Sequence, residues 1–391
     1  MTDGLAVAPA PAARRGTGQV AVTGAAVLSA YGRGIEALLA GVLSGQPAFA
    51  PVQRFDVTAR RVRVAAAMPG SPDLLTEVTR AAREACDEAG LPQADRARTP
   101  LFLAIHGDPA IARAPEADKP GLGPEAFAAA VAGGCGLTEQ GLRCYTSACV
   151  AASTAIADAA AMISRGRAYR VVVAGGYLVD SDQFALFDAG RVLAVDGQVR
   201  PFSAGRRGLL LGDGIGAVVI ESLASARARG APPLARLAGW GRTGDAYHPV
   251  QPDPEGHGMA RAVTAALQRA GIAAEDLGYI NAHGSGTGQS DPAETNALRL
   301  ALGDATGHVP VSSTKSLHGQ SLEASGVLEL IVALLAARKG MLPVNAGFLG
   351  PDESCRLTLV LNEPLAASLS YVMSLNAAFG GANTALVIGL P

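Results

Sequence analysis

Gly141-Leu142-Arg143-Cys144-Tyr145-Thr146-Ser147-Ala148-Cys149-Val150-Ala151-Ala152-Ser153-Thr154 carries the chain out of a strand and into a long alanine-rich helix. A strand-to-helix elbow sets a side chain at a helix N-terminus, where unpaired N–H groups and the macrodipole favour an anion. Such a setting predicts a lowered thiol pKa and a nucleophilic thiolate at Cys149. A cysteine met alone in an apolar stretch is more often a buried structural residue. Other segments of the chain set Cys149 apart.

One is Asn281-Ala282-His283-Gly284-Ser285-Gly286-Thr287-Gly288-Gln289-Ser290-Asp291-Pro292-Ala293-Glu294. A second is Ser312-Ser313-Thr314-Lys315-Ser316-Leu317-His318-Gly319-Gln320-Ser321-Leu322-Glu323-Ala324-Ser325-Gly326. The third, near the end, is Asn376-Ala377-Ala378-Phe379-Gly380-Gly381-Ala382-Asn383. In this order and spacing the segments resemble the β-ketoacyl synthases of the thiolase superfamily, from about Val20 to the C-terminus. The likeness is to the elongating two-histidine branch, with its Cys elbow, His-Gly-x-x-Thr loop and Lys-Ser-x-x-Gly-His loop. Gln320 stands where that family has its second histidine.

Short Val/Ile/Ala runs alternate with Ala-rich helical stretches, which reads as an α/β fold. Strands are expected at Val20–Thr23, Leu101–Ile105, Arg170–Ala174, Ala217–Glu221, Leu234–Trp240, Tyr279–Asn281, Leu357–Val360, Val372–Asn376 and Thr384–Ile388. Helices are expected at Gly34–Ser44, Leu74–Ala89, Pro124–Ala132, Cys149–Arg165, Gly258–Ala270, Asp291–Leu302 and Leu322–Lys339. Gly212 to Ile220 and Gly380 to Ile388 are both glycine-rich turns feeding an apolar strand, a weak internal echo. It agrees with the duplicated five-layer αβαβα thiolase-like fold that the resemblance implies. The expected division is a disordered tail over 1–18, a half over 19–225 carrying the nucleophile, and a half over 232–391 carrying His283 and Gln320. Ser222–Pro233, rich in Arg, Ala and Pro, reads as the hinge.

At 391 residues the chain has ample length for a core, and with 49% apolar but only 4% aromatic residues that core must be built from Ala, Val, Leu and Gly. A formal charge of −2 argues against a nucleic-acid binder. Cys86, Cys135, Cys144, Cys149 and Cys355 are odd in number and lack CxxC spacing, so neither a disulfide framework nor a metal site is expected and a reduced, cytoplasmic setting fits. The first 18 residues lack an apolar core and cleavage site, and no apolar run reaches the length of a membrane span. Gly212–Gly216 precedes a strand rather than a helix, and Gly284-x-Gly286-x-Gly288 lacks the Lys-Ser/Thr of a phosphate loop, so neither is read as nucleotide binding.

The resemblance assigns roles. Cys149 is the acyl acceptor, with the backbone N–H groups of Cys149 and Phe379 as oxyanion donors and Phe379-Gly380 as a gate. His283 polarises the thioester carbonyl of an extender unit. Asp291, Glu294 and Lys315 support the site, Lys315 in an ion-paired network with Glu294. Gln320 donates hydrogen bonds but never titrates. Glu323, three residues on, shares a helical face with it and is expected either to accept from the Gln320 amide, to act as a base, or to point away. His106, His248, His257 and His308 match no catalytic position, and His318 falls where the family varies. Ala377 replaces a family Phe and is expected to widen the acyl pocket.

Three functions stay open. One is a condensing acyltransferase of secondary metabolism, joining acyl units held on the phosphopantetheine of an acyl carrier protein. A second is acyl transfer from Cys149 to an alcohol or amine without decarboxylation. The third is a chain-length-factor-like partner subunit. No metal, nucleotide or flavin is called for. Arg60, Arg61, Arg63, Arg206 and Arg207 are candidate carrier-docking charges. A homodimer, or a heterodimer with a second ketosynthase-like subunit, is implied, although the chain is short between Leu101 and Leu142 where the family carries dimer-interface loops.

Overall fold

Successive residues of a strand face opposite sides of its sheet, and here both sides are apolar. Val171, Val173, Phe102, Ala104, Val218 and Ile220 enter one core, while Val172, Ala174, Leu101, Leu103, Ala217 and Val219 enter another. Such two-sided strands require helices on both faces. The computed structural model, which describes residues 18–107, 111, 115 and 122–391, supplies them. The tail expected over 1–18 lies outside the described residues, save Gly18.

The first half holds β1 (Val20–Ser29), β2 (Pro100–Ala104), β3 (Thr138–Tyr145), β4 (Arg170–Tyr177) and β5 (Gly214–Ser222). The second holds β6 (Ala235–Gly244), β7 (Leu277–Asn281), β8 (Val311–Ser312), β9 (Tyr371–Ala377) and β10 (Ala382–Gly389). Their order in space is β3-β2-β4-β5-β1-β6-β10-β9-β7-β8, so each half repeats the same sequence of strands outward from the centre. The halves join where Val20–Val22 pairs antiparallel with Ala235–Leu237. In both halves the three outer strands run parallel and the fifth returns antiparallel.

The principal helices are α1 (Ile35–Ser44), α2 (Leu74–Glu88), α3 (Pro124–Cys135), α4 (Ala151–Ser164), α5 (Ser181–Ala189), α6 (His257–Ala270), α7 (Ser290–Leu302) and α8 (Ser325–Lys339). Helices α4 and α8 lie in the middle, against strands of both halves and each other. Helices α2 and α3 cover the first half, α6 and α7 the second. That is the thiolase-like αβαβα arrangement. Small residues make the middle layer possible: a Cβ added to Gly326 would lie 2.4 Å from the Ser153 nitrogen, so only glycine lets α8 approach α4 there.

Three expectations need correction. Leu357–Val360 forms no strand; Val311 and Leu359 make an isolated bridge, because Leu359 N–H turns back to Leu357 O. The stretch expected as a hinge does connect the two halves, but it contains a helix, Leu223–Ala228, whose N-terminus is capped by Ser222 Oγ accepting from Ser225 N–H at 3.1 Å. Arg229 is tied to the buried Glu221 carboxylate together with Arg170 and Thr23, so this segment is anchored. Helix α5 was not expected; its signal is Asp180, which caps it by accepting from Asp182 and Gln183 N–H at 2.8 and 2.9 Å. No helix among the described residues is long and apolar enough to cross a membrane.

Candidate active site

Cys149 is the middle residue of one tight helical turn, Ala148–Val150, between β3 and α4. Ala148 adopts φ 51°, a left-handed conformation uncommon for a residue with a side chain and tolerated where surrounding packing over-determines it. The second half repeats the device. Glu323 is the middle residue of the turn Leu322–Ala324 that opens α8, and Leu322 before it has φ 39°. The two turns pack against each other, bringing Cys149 and Glu323 to corresponding places on either side of the site.

The thiol is not held as a thiolate, contrary to the elbow argument. Cys149 is 8% exposed, and burial pushes its pKa up to about 12, with the Glu323 charge adding to the rise. A hydrogen bond from the Gln320 amide and the nearby Lys315 charge pull the other way and do not prevail. Desolvation of the anion outweighs one turn's worth of dipole. Alkylation of Cys149 by iodoacetamide should therefore keep accelerating as pH rises past neutrality. A rate that levels off at neutral pH, followed by intact mass, would contradict this.

Gln320 is fixed by its backbone, its N–H donating to Leu210 O at 2.8 Å and its carbonyl accepting from Gly212 N–H at 2.9 Å. Its side chain is buried, the amide nitrogen serves Cys149, and Oε1 has no partner among the described residues. His283 follows the C-terminal end of β7, where parallel strands leave a crevice. Burial and then the Lys315 charge hold its imidazole well below the usual histidine range, so it stays neutral, and Nδ1 has no hydrogen-bond partner among the described residues. The loop is seated by acids: Glu294 accepts from His283 and Gly284 N–H at 2.7 Å each, and Asp291 from Phe202 and Gly286 N–H at 2.8 and 3.0 Å. Burial raises Asp291 to about 6 and Glu294 to about 8. Gly284, at φ 35°, is required here, since a Cβ would meet Ser313 Cβ at 2.4 Å.

Lys315 does not pair with Glu294. Its Nζ lies 2.5 Å from Glu329 on α8, and Asn376 donates to the other Glu329 oxygen at 2.6 Å. Both Glu294 oxygens already serve backbone N–H groups. Glu323 does not accept from Gln320 either. Its Oε1 is 3.1 Å from Nδ1 of His106, and Oε2 is buried without a hydrogen-bond partner among the described residues. His106 was the residue that sequence reasoning missed, because it stands 217 positions from Glu323. His318 uses both ring nitrogens within the fold, on Gly319 O and Thr314 Oγ1, and burial pushes it down to about 3.

In the Ala377–Ala382 turn the N–H groups of Ala378, Gly380 and Gly381 are all bonded, while that of Phe379 has no acceptor among the described residues. That leaves it available to a developing oxyanion. The Phe379 ring is 45% exposed and sits 6.1 Å, centroid to centroid, from Phe187. Around Cys149 the wall is apolar, with Val179, Phe184, Phe187, Leu193, Leu322 and Ala378 among its members. Of the candidate docking arginines, the Arg206 side chain is buried against Asp352 and belongs to the fold and Arg60 is half-buried, whereas Arg63, Arg61 beside Asp188 and Arg207 near Asp196 are exposed.

Residues 78–226 match the family model for the β-ketoacyl synthase N-terminal domain, and residues 234–349 match that for the C-terminal domain. The 3-oxoacyl-(acyl-carrier-protein) synthase 2 of Staphylococcus aureus is 39% identical over 247 residues, which are 62% of this chain and 61% of that protein. Nodulation protein E of Rhizobium meliloti is 42% identical over 243 residues, 62% of this chain and 60% of that protein. These matches thus span about 60% of the relatives' length. Among solved structures, a β-ketoacyl synthase from Burkholderia phymatum superposes with TM-score 0.88 at 27% identity, covering 95% of this chain and 99% of the other. The ishigamide ketosynthase/chain length factor superposes with TM-score 0.85 at 28% identity and the same coverage.

Proposed function

The chain belongs to the β-ketoacyl synthase family, and on that premise we propose that it is a condensing acyltransferase of polyketide or fatty-acid-like secondary metabolism. In the first step Cys149 Sγ attacks an acyl thioester on an acyl carrier protein. The Sγ–C bond forms, the pantetheine C–S bond breaks, and the carrier leaves as its thiol. In the second step a malonyl-type thioester loses CO₂, and the enolate carbon attacks the acyl group on Cys149. A C–C bond forms, the Sγ–C bond breaks, and the Cys149 sulfur recovers a proton. A neutral His283 and the Gln320 amide supply hydrogen bonds to the enolate oxygen, and Phe379 N–H with Cys149 N–H to the tetrahedral oxyanion.

The observation that carries this reading is the approach of the buried Gln320, from the second half, to the buried Cys149, from the first, with the Lys315 charge acting on both Cys149 and the buried His283. Thioester exchange and decarboxylation of this kind call for no metal, nucleotide or flavin. The carrier partner is supported by the acyl-carrier-protein activity in the name of the Staphylococcus relative. Assembly as a homodimer or with a second ketosynthase-like subunit is supported by the likeness to a ketosynthase/chain length factor. We assign the protein to the cytoplasm, with the exposed Arg61, Arg63 and Arg207 as carrier-facing charges.

One observation favours a second reading. Gln320 cannot move a proton, so acyl transfer to an alcohol or amine, with no loss of CO₂, is the alternative product route. Loading itself is common to both. Incubation with acyl pantetheine thioesters should add one acyl mass to the Cys149 peptide and none to the Cys149→Ser variant. Acylation of other cysteines, or of none, would sink the assignment.

A further inference from the structure

We propose that Glu323 is the general base that takes the Cys149 thiol proton during acyl loading, and that His106 is the positioning residue that holds and tunes it from the solvent side. The inference rests on Cys149 as the acyl acceptor.

A thiol protonated at neutral pH needs an acceptor for its proton as it attacks. The usual solution, a titrating imidazole beside the sulfur, is missing: position 320 is an amide, His318 is tied up on both nitrogens, and His283 is kept neutral by burial. Glu323 has the required placement. The internal duplication puts it in the second half where Cys149 stands in the first, and the two turns are in contact. It is 1% exposed, its charge acts on the thiol, and Oε2 has no hydrogen-bond partner among the described residues. A buried carboxylate oxygen left unpaired is costly unless it has a task.

Oε1 carries the connection outward. Nδ1–H of His106 donates to it at 3.1 Å, and the His106 side chain is 63% exposed. Among the described residues, the groups acting on this pair include Asp180, whose charge acts on His106, Tyr177, which feels the Glu323 charge, and the Lys315–Glu329 pair beyond the thiol. The step balances within the site. As the Sγ–C bond forms, the S–H bond breaks and its proton passes to Oε2. When the tetrahedral intermediate collapses, the same proton goes from Glu323 to the leaving pantetheine sulfur, and the carboxylate is restored. With His106 neutral the carboxylate is free to accept. With His106 protonated, its positive charge beside Oε1 opposes proton transfer to the carboxylate. The Glu323 hydrogen bond raises the His106 pKa above the ordinary histidine value, so loading by wild type should rise with pH through that shifted range.

The test sets two reactions of the same thiol against each other. Alkylation by iodoacetamide needs only thiolate, whereas loading from acyl pantetheine needs the base. In Glu323→Gln the negative charge beside the sulfur is gone. Alkylation should then become faster at pH 8, while loading becomes slower by about 100-fold or more. A residue that merely shapes the site would move both rates the same way or neither. In His106→Gln, loading should lose the pH dependence set by the histidine. Equal loading rates for wild type and Glu323→Gln, or a parallel fall in loading and alkylation, would overturn the base. An unaltered pH profile in His106→Gln would remove His106 from the account. Failure of wild type to load at all would overturn the acyl-acceptor reading, and the base with it.

Discussion

Gln320→Ala is expected to slow decarboxylation of a malonyl thioester by about 100- to 1,000-fold, the usual cost of removing one fixed oxyanion donor. The amide is held at both backbone ends by β-type hydrogen bonds, so its side chain is presented without reorganisation. Loading of Cys149 should change little, because the carbonyl oxyanion formed then lies toward Phe379 N–H. Gln320→His should keep or raise condensation, because an imidazole N–H can replace the amide as donor. CO₂ release measured with wild type and both variants decides the point. A wild type that releases CO₂ at a rate the alanine variant matches would remove Gln320 from the chemistry.

Lys315→Ala is expected to destabilise the protein by about 3–5 kcal/mol, the range seen when one partner of a buried ion pair is removed. Glu329 would keep only Asn376 in an interior position of 0% exposure. Burial already raises the Glu329 pKa, so the folded state binds its proton more readily than the unfolded chain. For such an acid, stability falls as pH rises, because the unfolded state binds fewer protons. The deficit of Lys315→Ala relative to wild type should therefore be large at pH 8 and shrink at mildly acidic pH. Lys315→Met/Glu329→Leu, which removes both charges, should recover much of the loss. Urea midpoints at the two pH values measure this, and an alanine variant as stable as wild type at pH 8 would refute it.

The fold and the segments that carry the candidate site were legible because they are local. Strand alternation, alanine-rich helices and the three glycine-flanked segments are each written within a dozen or so neighbouring residues. What escaped the sequence depends on what the duplication brings together. Lys315 was assigned to Glu294, yet the lysine projects into the middle layer, where α8 presents Glu329. His106 matches no motif, and only the folded chain sets it against Glu323. The elbow correctly placed Cys149 ahead of a helix, but a helix N-terminus says nothing about desolvation, and burial decides the state of the thiol. Helix α5 was overlooked because its apolar residues, Phe184, Leu186 and Phe187, make no sustained stripe.

The central claim is that an acyl group on Cys149 is joined to a decarboxylated extender unit. The direct measurement is a single turnover. Protein loaded on Cys149 is freed of excess thioester and mixed with malonyl carrier protein, and CO₂, enzyme mass and carrier mass are followed together. The account predicts one CO₂ released per acyl group lost from Cys149, with a β-ketoacyl chain two carbons longer appearing on the carrier. Discharge of Cys149 without CO₂, into an ester or amide of an added alcohol or amine, would contradict it.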